Sequence, residues 1–164
     1  MAIIAIDSSG IVGQPPIFFV AVRLRHKRGM LKYDSQNHRI IRVNSELHDS
    51  FINRDQSWKL KLSAVLIYHT MIDLIFEEDV IFIDNDFPSN QVDVLRYINR
   101  LLFIYHNETP FQRRPISFIS AKCNECVRIA DEKTKMARDG TIEPIQNANG
   151  NILNELFGVL LRIR

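Results

Sequence analysis

The chain has 164 residues, of which 46% are hydrophobic and 24% charged, with a formal net charge of +2. That length suits one domain, residues 1–164, burying about two-thirds of the surface its unfolded form exposes, so folding requires neither disulfide nor metal. A net charge this near neutral leaves bulk electrostatics pointing to no partner. No stretch approaches the ~18 continuous apolar residues of a membrane span, and MAIIAIDSSG lacks the basic start of a signal peptide. A cytoplasmic protein that does not enter a membrane is expected.

Residues 2–8 are a short apolar run bounded by Gly10, Gly13 and Pro15-Pro16, the pattern of a buried strand. IFFVAVRLR, residues 17–25, begins apolar and ends in alternation, as a strand whose far end is half solvated. After the polar segment HKRGMLKYDSQNH, the run HRIIRVNS predicts a third strand, and three successive strands suggest a meander. DQSWKLKLSAVLIYHTMIDLIF then places Trp58, Leu62, Val65, Leu66, His69 and Ile72 near one helical face, with Asp55 or Ser57 as N-cap.

DVIFIDNDF predicts another buried strand, followed by a helix with Val92, Leu95, Ile98, Leu101 and Leu102 on one side. RPISFIS is the fifth strand. ECVRIADEKTKMAR is a polar helix with a thin stripe at Val127, Ala130 and Thr134, and NILNELFGVLLRIR is a last amphipathic helix. The expected fold is therefore α/β: a mixed five-stranded sheet of order β-β-β-α-β-α-β-α, flanked by helices, with one extra C-terminal helix. Its first and fourth strands are expected as parallel neighbours at the centre.

Two of these strands, AIIAID and DVIFID, close in the same way, each carrying an aspartate after an apolar run. As parallel neighbours they set Asp7 beside Asp84 at the sheet edge where open α/β sheets bind ligands. Two adjacent carboxylates repel unless a cation lies between them. A hard divalent ion, Mg²⁺ or Mn²⁺, suits such oxygen ligands. Asp131, in RIADEK one turn beyond Val127, has a phase that turns it toward the sheet as a third carboxylate.

The element order, the two strand-ending aspartates and the Ala-Asp on the helix after the fifth strand resemble the ribonuclease H-like superfamily. IDSSG is similar to the Asp-x-Ser-Gly start of uncharacterised branches of it, and ISFISAK to the Ser-Ala-rich segment of type 2 ribonucleases H. The resemblance implies metal-dependent phosphodiester hydrolysis of nucleic acid, with two ions ~4 Å apart. Under it, Asp7 bridges the ions, Asp84 ligates the first and Asp131 the second.

The usual acidic residue after the first aspartate, or in the first helix, is replaced by Ser8 and by Lys59 and Lys61. Asp86 is the expected substitute, with Glu46 and Glu125 less supported by spacing. The Gly-Arg-Gly substrate reader of type 2 ribonucleases H is also missing, so RNA, DNA and hybrid stay open as substrates. The alternative is a non-catalytic module of the same fold that binds nucleic acid or a protein, a reading that Lys61 inside the site would favour.

The basic run Arg23, Arg25, Lys27 and Arg28, read as lying on a hairpin, and Lys61 are candidate phosphate contacts, a solvated hairpin rim being the other reading of that run. Cys123 and Cys126 supply only half of a zinc site and read as ordinary residues at a helix start. His69 reads as a buried core histidine. The apolar stripe Leu153, Leu156, Phe157, Leu160 and Leu161 reads as core packing, with a homodimer contact as the other option.

Overall fold

A computed structural model describes residues 2–27, 30–75, 79–85, 90–107 and 115–162, except for the side chains of residues 11, 26, 27 and 30–36. Its strands are β1 Ala2–Ile11, β2 Gln14–Lys27, β3 Met30–Val43, β4 Val80–Asp84, β5 Ile116–Ile119 and β6 Gln146–Asn147. Its helices are α1 Ser45–Asp49, α2 Trp58–Met71, α3 Gln91–His106, α4 Glu125–Arg138 and α5 Gly150–Leu160. Together they make a mixed α/β fold around one six-stranded sheet, in the order β5-β4-β1-β2-β3-β6. Among the described residues, no helix is long and apolar enough to cross a membrane.

β1 lies between antiparallel β2 and parallel β4, as the two apolar runs predict. Ile4, Ala5 and Ile6 are each at most 1% exposed, because a central strand is covered on both faces and every position must be apolar or small. α3 connects the parallel strands β4 and β5, which a tight turn could not join.

Helices divide unequally between the faces. On one, Ile4, Ile6, Ile17, Phe19 and Ala21 of the sheet pack against α2, α3 and α5. On the other, Ala5, Val20, Val22 and Ile40 meet Cys126, Ala130 and Ala137 of α4. α4 begins at Asn124, whose side chain accepts the Val127 N–H at 3.1 Å, a cap that fixes where the helix starts.

Several sequence expectations are corrected. The strand pattern does not stop at residue 25: β2 and β3 are long hairpin arms that run through most of the polar segment, pairing Lys27 with Met30. Backbone ladders form without apolar side chains, so composition missed this pairing. The short helix α1, capped by Asn44, replaces the end of the third strand, and the two-residue β6 adds an edge.

α2 is buried nearly all round rather than along one face, since it lies between the sheet and the helices α3 and α5. Its N-cap residue, Ser57, makes no side-chain cap bond; the Asp55 carboxylate accepts the Ser57 N–H instead. On α3 the buried side is Val94, Tyr97, Ile98, Leu101 and Leu102, while Val92 is 81% exposed. Tyr97 carries the stripe where an aliphatic count assigned Val92. On α5, Leu153, Leu156, Phe157 and Leu160 are spent in the chain's own core, and only Leu161 of the stripe faces solvent.

Candidate functional site

The parallel register pairs Ile6 with Ile83, so the next residue on each strand is an aspartate, Asp7 on β1 and Asp84 on β4. Asp7 follows Ile3 and Ala5 in the alternation and therefore points at the face covered by α4. β1 does not end there. It continues to Ile11 along β2, with Ser8 opposite Phe19 and Ser9 opposite Phe18. It is the end of β4 at Asp84 that turns this position into a carboxyl edge, and Ser8-Ser9-Gly10 belongs to the hairpin arm. Gly10 is needed there: its φ is +96°, and an added Cβ would lie 3.1 Å from the Pro16 carbonyl oxygen.

α4 brings the third carboxylate. One oxygen each from Asp7, Asp84 and Asp131 lie within 4.8 Å of one another. Oxygens that share an ion are at most about 4.2 Å apart for one as small as Mg²⁺ and about 5 Å for one as large as Ca²⁺, so a spread of up to 4.8 Å lies at the wide end of one coordination sphere. Asp131 is half-buried, and its Oδ2 is 3.0 Å from Lys135 Nζ one turn on.

Asp7 is the deepest member, 3% exposed. Its Oδ2 lies 2.7 Å from the Thr134 hydroxyl, which is also 2.6 Å from the Ala130 carbonyl oxygen. A hydroxyl has one proton to donate. When Asp7 is ionised, Thr134 donates to it; when Asp7 is protonated, the carboxyl donates to Thr134 and Thr134 to Ala130.

The other oxygen, Asp7 Oδ1, is buried with no hydrogen-bond partner. Burial, the neighbouring Asp84 carboxyl and the charges of Asp84 and Asp131 push the Asp7 carboxyl up to about 8, with Thr134 pulling the other way. Without a cation the anion is therefore disfavoured at neutral pH. The donor set is all oxygen, one donor is buried and unsatisfied, and the carboxylates converge. These residues fit a hard divalent cation.

Asp84 is fixed by backbone. Its Oδ1 accepts the N–H of Asn85 at 2.9 Å and of Ala121 at 3.3 Å, tying β4 to the turn between β5 and α4. That turn is closed by Ser120, whose Oγ accepts the Lys122 N–H at 3.2 Å and whose carbonyl accepts the Cys123 N–H.

Of the other sequence candidates, Asp86, Arg28 and the side chain of Lys27 lie outside the described residues. Glu46 and Glu125 do not join the cluster, which holds three carboxylates among the described residues. Arg23 is corrected: its side chain is 9% exposed, ion-paired with Asp79, and donates to the Leu74 carbonyl at 2.9 Å. A position that alternation marks as half solvated is covered by the segment after α2. Lys61 is likewise corrected, being buried and held 2.5 Å from Asp55 Oδ2. Arg25 is exposed, as a phosphate contact requires.

His69 is buried, and desolvation with the nearby Arg39 charge lowers its imidazole to about 4, so it is neutral in the core. Cys126 is buried and Cys123 exposed, and neither belongs to a ligand cluster among the described residues.

Sequence reading missed the part played by Thr134, which it took for a stripe residue, and by Lys122, Arg128 and Lys135, which line a cleft of about 450 Å³ with Asp84 and Asp131. The spacing 128, 131, 135 was a usable signal, since it places three charges on one side of a helix. Compared with known proteins, the chain matches no family model, no curated protein and no solved structure.

Proposed function

We propose that this chain is a ribonuclease H-like, metal-dependent nuclease that hydrolyses phosphodiester bonds of nucleic acid at Asp7, Asp84 and Asp131, with Mg²⁺ or Mn²⁺ as cofactor. The observation that carries this reading is the convergence of three carboxylates, the deepest of which, Asp7, keeps one buried oxygen, Oδ1, without a hydrogen-bond partner. Nothing in folding favours that arrangement, because an unsatisfied buried acceptor costs about 1–3 kcal/mol. Proteins accept such a cost at sites that bind something. The parallel pair β1–β4, with antiparallel β2 and β3 beyond it and α4 carrying Asp131, supports the resemblance in the order of elements.

The three aspartates would hold the ion, which supplies Lewis acidity toward a phosphoryl oxygen and a water of lowered pKa. The chain's own residues set the stage for it. Thr134 fixes the rotamer of Asp7 and, by donating its proton, favours the ionised form that a cation needs. The Asn85 and Ala121 N–H groups hold Asp84 in place while β1 and β4 keep the two carboxyl groups side by side.

The competing reading, a non-catalytic module, drew on a lysine inside the site. Lys61 instead spends its charge on Asp55 and lies over the Tyr97 ring. Calorimetry with Mn²⁺ on wild type and Asp7→Asn tests the centre: binding to wild type that the variant loses is expected, and equal weak binding by both removes it. Labelled RNA, DNA, hybrid and junction substrates incubated with Mn²⁺, against Asp84→Asn, test the activity. No cleavage beyond that control favours the module.

A further inference from the structure

The cleft beside the carboxylates carries a charge balance that a metal centre alone does not explain. Asp84 and Asp131 share its walls with Lys122, Arg128 and Lys135, together with Asn85, Ser120 and Ala121. Arg128 and Lys135 bracket Asp131 at one helical turn on either side, on the exposed flank of α4, and Lys122 comes from the turn before the helix. Elsewhere the buried or part-buried cations Arg23, Arg39 and Lys61 are ion-paired with aspartates, while exposed ones such as Arg25 and Arg100 stand without an ion pair among the described residues. Lys122 and Arg128 have no ion-pair partner among the described residues. Three cations gathered on two carboxylates repel one another, and a divalent ion at the same carboxylates would strengthen that repulsion. An anion in the cleft would relieve that repulsion.

We propose that Lys122, Arg128 and Lys135 form a phosphate-binding subsite that holds the backbone of a nucleic-acid strand next to the carboxylate cluster, an inference that rests on the nuclease reading above. The cleft has the volume of a ligand site, about 300–1,000 Å³, and among the described residues no aromatic side chain lines it. Lysine and arginine contacts of this kind read phosphates and carry no sequence information.

Lys135 links this subsite to the metal. Its ammonium is 3.0 Å from Asp131 Oδ2, where it serves as that carboxylate's cation. With Asp131 engaged by a divalent ion, Lys135 would lose that partner and could turn to the cleft as a third phosphate contact. Metal and strand then favour each other's binding, and by linkage the effect is reciprocal.

The test is fluorescence anisotropy with labelled oligothymidylate and oligouridylate, which share the phosphodiester chemistry, in EDTA and in Ca²⁺. The proteins are wild type, the double variant Lys122→Ala/Arg128→Ala, Lys135→Ala, and Arg100→Ala as a charge-matched control on α3. All four altered side chains are exposed, and equal melting temperatures establish equal folding. The double variant is expected to lose about tenfold in affinity for both probes and to flatten the log–log salt dependence by about 1.4, two contacts at about 0.7 each. Lys135→Ala should weaken binding in Ca²⁺ and leave it unchanged in EDTA.

A double variant that binds like Arg100→Ala, or a wild type that binds neither probe, overturns the subsite. Equal losses for Lys135→Ala in both buffers overturn the linkage. Wild-type binding that ignores Ca²⁺ but falls in the double variant keeps the phosphate subsite and removes the metal centre instead.

Discussion

The two faces of the sheet treat polar groups differently. Under α2, α3 and α5, buried charge is closed off: Arg23 meets Asp79 and the Leu74 carbonyl, and Lys61 meets Asp55. Under α4 alone, Asp7 is just as deep but keeps an oxygen without a partner. A face covered by three helices excludes water, so a charge there persists only with its counterion. The face covered by one helix leaves an open end at Asp84 and the cleft, and there an unbalanced charge is accessible to a ligand. Burial does not mark the candidate site; incomplete pairing does.

The largest test of that contrast is Asp79→Ala, which takes the Asp79 carboxylate away from the buried Arg23 guanidinium and should cost about 3–5 kcal/mol in urea unfolding. A loss below 1 kcal/mol would mean the pair is wetter than its burial indicates.

Asp7→Asn should act in the opposite direction. In metal-free buffer at pH 8 or above it removes the disfavoured anion and should stabilise the fold by about 1–3 kcal/mol. The sign follows from linkage: a carboxyl raised from 3.8 to about 8 contributes stability that is full below pH 3.8 and lost as pH rises through about 8. The gap between Asn variant and wild type should therefore widen from about pH 4 to about pH 8 and then level off. A gap that narrows with rising pH would show that Asp7 is stabilised as an anion.

Thr134→Val is a smaller change on the same face. It removes the donor to Asp7 Oδ2, and a metal-free stability loss of about 1 kcal/mol with weaker Mn²⁺ binding by calorimetry is expected. Unchanged Mn²⁺ affinity would reduce the hydroxyl to a helix-packing role. Smallest is Arg25→Ala, an exposed position where thermal unfolding should shift stability by no more than about 0.5 kcal/mol. The same arginine-to-alanine change at residue 23 should be severe, since two positions along the strand alternation returns at a buried ion pair.

Much of this molecule is legible in its sequence. The apolar runs of β1 and β4, the order of strands and helices through α4 apart from the short α1, and the candidate aspartates 7, 84 and 131 all follow from periodicity and punctuation, because those features are local. The phase of α4 was enough to turn residue 131 toward the sheet edge. Local patterns failed where a distant partner decides. The polar stretch after residue 25 became strand by pairing with the opposite hairpin arm, and Arg23 became buried through Asp79, 56 residues away. The contact that fixes Asp7 spans 127 residues, to Thr134.

AIIAIDSSG by itself determined a buried strand carrying a carboxylate. Only the tertiary structure decided that one oxygen of that carboxylate would have no partner, and that three cations would gather beside it. The physical reason is that satisfaction of a buried polar group is a property of everything packed around it, whereas hydrophobic periodicity belongs to the segment alone.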